Sequence, residues 1–378
     1  MYKTVVKQID GELIADNKIE QITQLPSLRE AASLIQEGEV VAFPTETVYG
    51  LGADATSSRA VSKIFRAKGR PQDNPLIVHV ASQAQLSSII RGDLSDQAWK
   101  LIEACWPGPL TLILDRGELI PDQTTAGLTT VAVRMPFHPV ALALIEASQT
   151  VIAAPSANSS GYPSPTSAGH VLADLQGKIP LILDGGQTRV GVESTVLDVR
   201  GEQPEILRPG GITREQLSEI LGQELPTAGD SQGGSVNEEA DTPVKPVKDR
   251  QKQKHTTPLS PGMKYRHYAP HTPLKLIDDQ RVKRLPELLE NQDLTRVALV
   301  LTRETRNRLG ECPFFERVGQ LVEMGSTADM SGIARNLFSL LRQLDNQQVE
   351  LIIVEQIPET GLGEAVMNRL HKAARGSI

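Results

Sequence analysis

The sequence predicts an α/β protein of two unequal domains, the second a small Rossmann-like unit. Three observations predict it. Helix and strand signals alternate along most of the 378-residue chain. A polar stretch, residues 223–262, interrupts them and is poor in large apolar side chains. Such a stretch cannot offset its own ordering entropy, so it reads as a linker. Beyond it, apolar strand runs and helical runs alternate regularly, the pattern of a small open sheet with helices on its faces. The boundaries that follow are 1–222 for the first domain, 223–272 for the linker and 273–378 for the second domain.

Each element has its own reason. Ser27-x-x-Glu30 reads as a capping box opening a helix that Gly38 stops. "VVAF" (40–43) is a short buried strand. Ser57 opens a second helix with Val61, Ile64 and Phe65 on one face, ending at Gly69. "LIVHVA" (76–81) is a strand. Residues 95–106 form a helix ended by "PGP" (107–109). "LTLIL" (110–114) and "TTVAVRM" (129–135) are strands, "VALALIEAS" (140–148) is helical, and "VIAA" (151–154), "PLILD" (180–184) and "STVLDV" (194–199) are strands. Thr213-x-x-Gln216 caps another helix. In the second domain "LKLI", "VALVLT" and "VELIIVE" are strands, with helices near 281–291, 331–344 and 364–374.

Composition excludes several classes. Hydrophobic residues make up 39% and charged residues 22%, ordinary for a globular protein. A net charge of −7 argues against a global basic face for nucleic acid and leaves only a local one. Cys105 and Cys312 are too far apart in sequence to suggest a disulfide framework or a zinc site, and the seven histidines lack metal-ligand spacing. No signal-peptide core occupies residues 1–20, and no apolar run reaches roughly 18 residues. The expectation is a soluble, cytosolic, reduced protein with no membrane segment.

Five segments concentrate polar chemistry. "FPTETVYGLGADA" (43–55) follows a buried strand and places Thr45, Glu46, Thr47 and Tyr49 at its carboxyl end, where open α/β sheets bind ligands. Gly50 and Gly52 there suggest tight turns. "AKGRPQDNPLIVHV" (67–80) gathers Lys68, Arg70, Asn74 and His79, with Pro71 and Pro75 directing the side-chain exits. Helix-dipole compensation accounts for Lys68 taken alone, and a lone strand histidine is commonly a core residue. "TTVAVRMP" puts Arg134 late in an apolar strand, on the face of Thr130 and Ala132. A buried arginine there needs a carboxylate, from the protein or from a substrate. "APSANSSGYPSPTSA" (154–168) is a proline-set loop of small hydroxyls, Ser156, Asn158, Ser159, Ser160, Ser164 and Thr166, suited to phosphate oxygens. "GVESTVLDV" (191–199) and "ILRPGG" (206–211) contribute Ser194 and Arg208.

Neither a P-loop nor a dinucleotide-binding glycine pattern is present, and no G-x-S-x-G elbow. What recurs is cation, hydroxyl and amide. That set stabilises a phosphoryl or adenylyl transition state by position and charge rather than by covalent attack.

In order, "FPTETVYGLG", "KGRPQDNPLIVHV", "WPGPLT", "TVAVRMP", "APSAN", "GVESTV" and "LRPG" resemble the YrdC-like threonylcarbamoyl-AMP synthases, over roughly residues 25–222. "SPGMKYRHYAP" (260–270) and the α/β tail resemble the long, two-domain form. The resemblance implies a twisted, open YrdC-like sheet around a deep cavity. It implies formation of threonylcarbamoyl-adenylate and pyrophosphate from L-threonine, bicarbonate and ATP, with Mg²⁺ accompanying the nucleotide. The product would feed a downstream transferase complex that makes threonylcarbamoyladenosine in tRNA. The family's catalytic K-x-R and S-x-N tetrad falls on Lys68, Arg70, Ser156 and Asn158. Nucleotide contacts fall on Arg70, Asn74, Thr130, Ser156, Ser164 and Arg208. Threonine contacts fall on Thr45, His79, Arg134, Ala154 and Ser194. The "KYRHY" segment would fold over the cavity and bring Tyr265 or Tyr268 onto the nucleotide. No protein side chain is implied as a metal ligand.

Other classes compete. A module binding double-stranded RNA through phosphates is one, though 3% aromatic content leaves few stacking platforms. A carbamoyltransferase of hydrogenase maturation is another, but it would carry zinc-finger cysteines that this chain lacks. The second domain could also serve as a docking module for partner proteins.

Overall fold

A computed structural model of the protein describes residues 2–226, 258, 267–288, 293–310, 313–347 and 349–374. The first domain is built on ten strands: β1 (Val5–Gln8), β2 (Val41–Phe43), β3 (Gly50–Asp54), β4 (Ile77–His79), β5 (Leu110–Asp115), β6 (Thr130–Arg134), β7 (Ile152–Ala153), β8 (Leu181–Asp184), β9 (Thr195–Asp198) and β10 (Glu205–Arg208). They form one mixed sheet in the order β1-β8-β2-β3-β7-β4-β6-β5-β9-β10. The pairs β1–β8, β2–β8, β4–β6 and β5–β9 run parallel and the other neighbours antiparallel.

One face carries the main core, where helices Ser58–Lys68, Asp96–Cys105 and Arg214–Leu221 bury Val61, Ile64, Leu101 and Leu217. The other face is only partly covered. Helices Ile19–Gln24, Pro26–Gln36 and Pro139–Ser148 pack over β1, β8, β2 and β7. Further along the same face, Ile77, Ile113, Ala132, Val196 and Leu207 make a small separate cluster. A hollow lies against this cluster.

Local chemistry explains most helix ends. The Ser57 hydroxyl accepts from the Ala60 N–H, and Gly69, in the left-handed region, ends that helix. Thr213 and Gln216 complete both arms of a capping box. The box expected at Ser27 does not form. Leu25 is the cap residue, without a side-chain bond, and Pro26 takes the first helical position, where no N–H is needed.

The turn expected at Gly50 and Gly52 is also corrected, because both lie within β3. A Cβ on Gly52 would stand 2.6 Å from Phe43 Cε1 and 2.7 Å from Ile152 Cγ2. Glycine here makes room for an aromatic ring rather than for a bend.

The second domain has four parallel strands, β11 (Leu274–Ile277), β12 (Val297–Thr302), β13 (Gln320–Gly325) and β14 (Leu351–Glu355), ordered β11-β14-β12-β13. Helices Met330–Asp345 and Leu362–Ala373 cover one face, and the other buries Val282, Leu285 and Phe314. β13 alternates poorly, which is why it was not foreseen.

The two domains share core. Val48 and Val192 of the first pack into the cluster of Ala334, Leu337 and Phe338. At Gly191, with φ +82°, a Cβ would fall 2.3 Å from Arg335 Cα, so backbone meets backbone there. Arg342 clamps both oxygens of Asp174 at 2.9 Å and donates to the Pro163 carbonyl. Among the described residues, no helix is long and apolar enough to cross a membrane. Cys105 is buried, and Cys312 and most of the 223–272 linker lie outside the described residues.

Candidate active site

The hollow encloses about 660 Å³ of non-atom space, its open mouth and adjoining solvent included. It gathers the carboxyl ends of β2, β4, β6, β7 and β10 and the amino end of β9. Eleven predicted residues line it: Thr45, Arg70, His79, Arg134, Ala154, Ser156, Asn158, Ser164, Ser194, Arg208 and Tyr268. They come from segments as much as 223 residues apart (268 − 45), the last of them from the end of the linker.

Three predicted residues lie outside the lining. Lys68 is buried beneath the 156–158 loop, its ammonium donating to the Asn158 carbonyl at 2.6 Å and to the Ser156 carbonyl. Burial, and then the nearby Arg70 charge, hold its pKa well below the usual lysine range. It braces the loop instead of facing the hollow. Asn74 gives its carbonyl to the Arg70 guanidinium at 3.3 Å. Its side-chain amide is buried and meets no partner among the described residues. Thr130 shares the strand face of Arg134, four residues earlier. Tyr265 lies outside the described residues.

The sequence left open which carboxylate would accompany Arg134; in this structure it is Glu46. Arg134 Nη2 lies 2.5 Å from Glu46 Oε2, a close ion pair rather than an aligned hydrogen bond. Arg134 also donates to Thr47 Oγ1 at 3.0 Å and to the Gly108 carbonyl at 3.1 Å. Thr45 Oγ1 sits 2.8 Å from Thr47 Oγ1, and it donates to the Val48 carbonyl. His79 stands next to this group. Burial, reinforced by the Arg134 charge, pushes it down to about 3, so its imidazole is neutral. Its Nδ1 meets no hydrogen-bond partner among the described residues.

Another part of the lining is cationic. Arg70 is pushed down to about 10 by burial. Arg208 donates to the Ser194 carbonyl at 2.9 Å and to Ser194 Oγ at 3.2 Å, and Ser194 Oγ lies 2.8 Å from Thr111 Oγ1. Ser156 Oγ bonds Asn158 Oδ1, and Ser164 Oγ donates to Glu193 Oε1, both at 2.5 Å. Burial opposes ionisation of Glu193, but the Arg369 and Arg208 charges outweigh it and hold the carboxyl below its usual range.

Sequence reasoning missed Glu193, Tyr162 and His267 as lining residues. Glu193 stood inside the "GVEST" segment and His267 inside "KYRHY", so the motifs located them without singling them out. Tyr49, read as a polar tip, is instead a core residue whose hydroxyl donates to the Gly186 carbonyl at 2.7 Å.

A family model described as "Telomere recombination" matches residues 33–210, and one described as "Threonylcarbamoyl-AMP synthase, C-terminal domain" matches residues 212–375. The chain belongs to the threonylcarbamoyl-AMP synthase family. It has the two-domain form. The threonylcarbamoyl-AMP synthase of Bacillus subtilis is 45% identical over 359 residues, 94% of this chain and 95% of the relative. That of Pyrococcus abyssi is 45% identical over 348 residues, 92% and 94% of the two chains. The crystal structure of Pyrococcus abyssi Sua5 complexed with L-threonine superposes with a TM-score of 0.79 at 42% identity, covering 100% of this chain and 99% of the other.

Proposed function

We propose that this synthase-family chain joins L-threonine, bicarbonate and ATP into threonylcarbamoyl-AMP and pyrophosphate, for threonylcarbamoyladenosine formation in tRNA. One observation carries the reading. A single hollow holds both a carboxylate receptor, Arg134 with Thr45, Thr47 and neutral His79, and a cationic hydroxyl-rich set, Arg70, Ser156, Ser164 and Arg208. An amino acid and a triphosphate seated on these two sets would have their reacting groups adjacent.

Arg134 takes the threonine carboxylate and shares its charge between Glu46 and the ligand. The open Nδ1 of His79, with Ser194, orients the amine and hydroxyl. The amine captures CO₂ from bicarbonate to give a carbamate and water. A carbamate oxygen then attacks the α-phosphorus, and pyrophosphate leaves. Arg70 and Arg208 offset the charge growing on the phosphate oxygens. Lys68 holds the 156–158 loop in place from beneath. No enzyme nucleophile takes part. Tyr268 and His267, on the wall nearest the second domain, help exclude water from the labile carbamate.

Mg²⁺ would enter with ATP and would supply charge screening of the phosphates that Arg70 and Arg208 face. Among the described residues, no group of three His, Cys, Asp or Glu side chains could hold a metal, and Glu46 and Glu193 both face arginines.

The test is pyrophosphate release from ATP, with threonine and bicarbonate omitted in turn. Release that needs both supports the reading. Release indifferent to threonine overturns it.

A further inference from the structure

The second domain places one arginine against the nucleotide wall. Arg369, on the helix Leu362–Ala373, is fully buried. Its Nε donates to Glu193 Oε2 at 2.8 Å and its Nη1 to the Pro209 carbonyl at 2.7 Å. Its guanidinium carbon lies 5.4 Å from the centre of the Tyr268 ring, which stacks at 5.4 Å on Phe338. Each contact leads to a different part of the wall. Glu193 holds the Ser164 hydroxyl with its other oxygen. Pro209 directly follows Arg208. Tyr268 lines the hollow itself.

We infer that Arg369 is a positioning residue for ATP, supplied by the second domain, which sets Ser164, Arg208 and Tyr268 through one guanidinium. The inference rests on the reading that this wall takes the nucleotide. Only a planar, multi-donor cation makes these contacts at once. A lysine ammonium is a compact point charge, so it would keep the charge without the planar fork that spans Glu193, Pro209 and the Tyr268 face. The threonine carboxylate is held separately, by Glu46, Thr47 and Gly108 around Arg134, and Ser194 is the threonine-side residue that Arg208 touches, so the ATP constant should respond more than the threonine constant.

The experiment compares steady-state constants for both substrates in the full chain and in Arg369→Gln, Arg369→Lys and Glu193→Gln, with thermal melting recorded alongside. Arg369→Gln is expected to raise the KM for ATP about tenfold or more, as when a charge-assisted contact is lost, and to leave the KM for threonine within about twofold. Arg369→Lys is expected to fall between it and the wild type. Glu193→Gln, which cuts the same relay, is expected to move the ATP constant in the same direction. If Arg369→Gln does not fold, Arg369→Lys and Glu193→Gln carry the comparison. Both substrate constants rising together, or an unmoved ATP constant in folded variants, overturns the inference. A wild-type chain that binds no ATP would instead overturn the underlying functional reading.

Discussion

Arg134 and Glu46 lie 2.5 Å apart with side chains only 4% exposed, and Arg134 alone of the two lines the hollow. Glu46, together with Thr47 and the Gly108 carbonyl, fixes the guanidinium in place. An arriving carboxylate then meets a cation that is already desolvated and aimed.

Arg134→Ala removes the receptor. Threonine affinity by calorimetry is expected to fall by at least about tenfold, the scale of a charged hydrogen bond, with ATP affinity nearly unchanged. Unaltered threonine binding would remove Arg134 from its role.

Glu46→Ala leaves the buried guanidinium without its carboxylate. It is expected to cost about 3–5 kcal/mol of stability in urea unfolding, whereas replacing both partners with apolar residues should cost much less. Equal losses in the single and double variants would show that the pair is not a unit.

Four histidines held low by burial, His79, His138, His170 and His267, make the fold acid-sensitive. Burial holds His79 at about 3 and His138 at about 4, against about 6.5 in an unfolded chain. Between pH 6.5 and 4 the unfolded chain binds protons that the folded chain refuses. Stability is therefore lost as pH falls through 6.5, by up to about 1.4 kcal/mol per pH unit for each group. His138→Asn keeps an acceptor for the Val140 N–H that His138 now caps and removes one titration. Its unfolding midpoint should fall less between pH 7 and 5 than that of the wild type.

Lys372, one turn beyond Arg369, is held at about 7 by burial and by the Arg369 and Arg208 charges. A triphosphate beside Arg208 would raise that value. ATP binding at pH 8 is expected to take up protons, seen as a binding enthalpy that varies with the buffer's ionisation enthalpy. Lys372→Met should remove most of that variation.

Arg342→Met breaks the bidentate pair with Asp174 and strands a carboxylate in the domain interface. A loss of about 3–5 kcal/mol is expected, with the second domain becoming protease-sensitive before the first. Cooperative loss of both domains together would argue against this joint as the weak one.

The fold was legible where a residue's role is local. Ser57, Gly69, Thr213 and Gln216 act within one helical turn: the helix Ser57 opens ends at Gly69, and the one Thr213 caps begins where the sequence places it. Pro26 overrode the Ser27 box because a proline prefers the first helical position. Gly52 was misread because its reason, the Phe43 ring, lies across a strand pair. The site was legible as segments, since His79, Arg134 and Ser156 sit at strand ends. Its wiring was not. Nothing in sequence links Arg369 to Glu193, 176 positions earlier, and a buried lysine such as Lys68 looks like a surface helix-end cation until its loop is folded over it.

The pairing of β1 with β8 has a consequence for synthesis. Val5 finds Leu181 only after some 176 further residues have been made, and the hollow needs Arg208 as well. A nascent chain leaving the ribosome therefore carries an unmatched first strand for nearly half of its translation. Threonine can offer it no help before β10 emerges, so early folding depends on whatever shields that edge in the meantime.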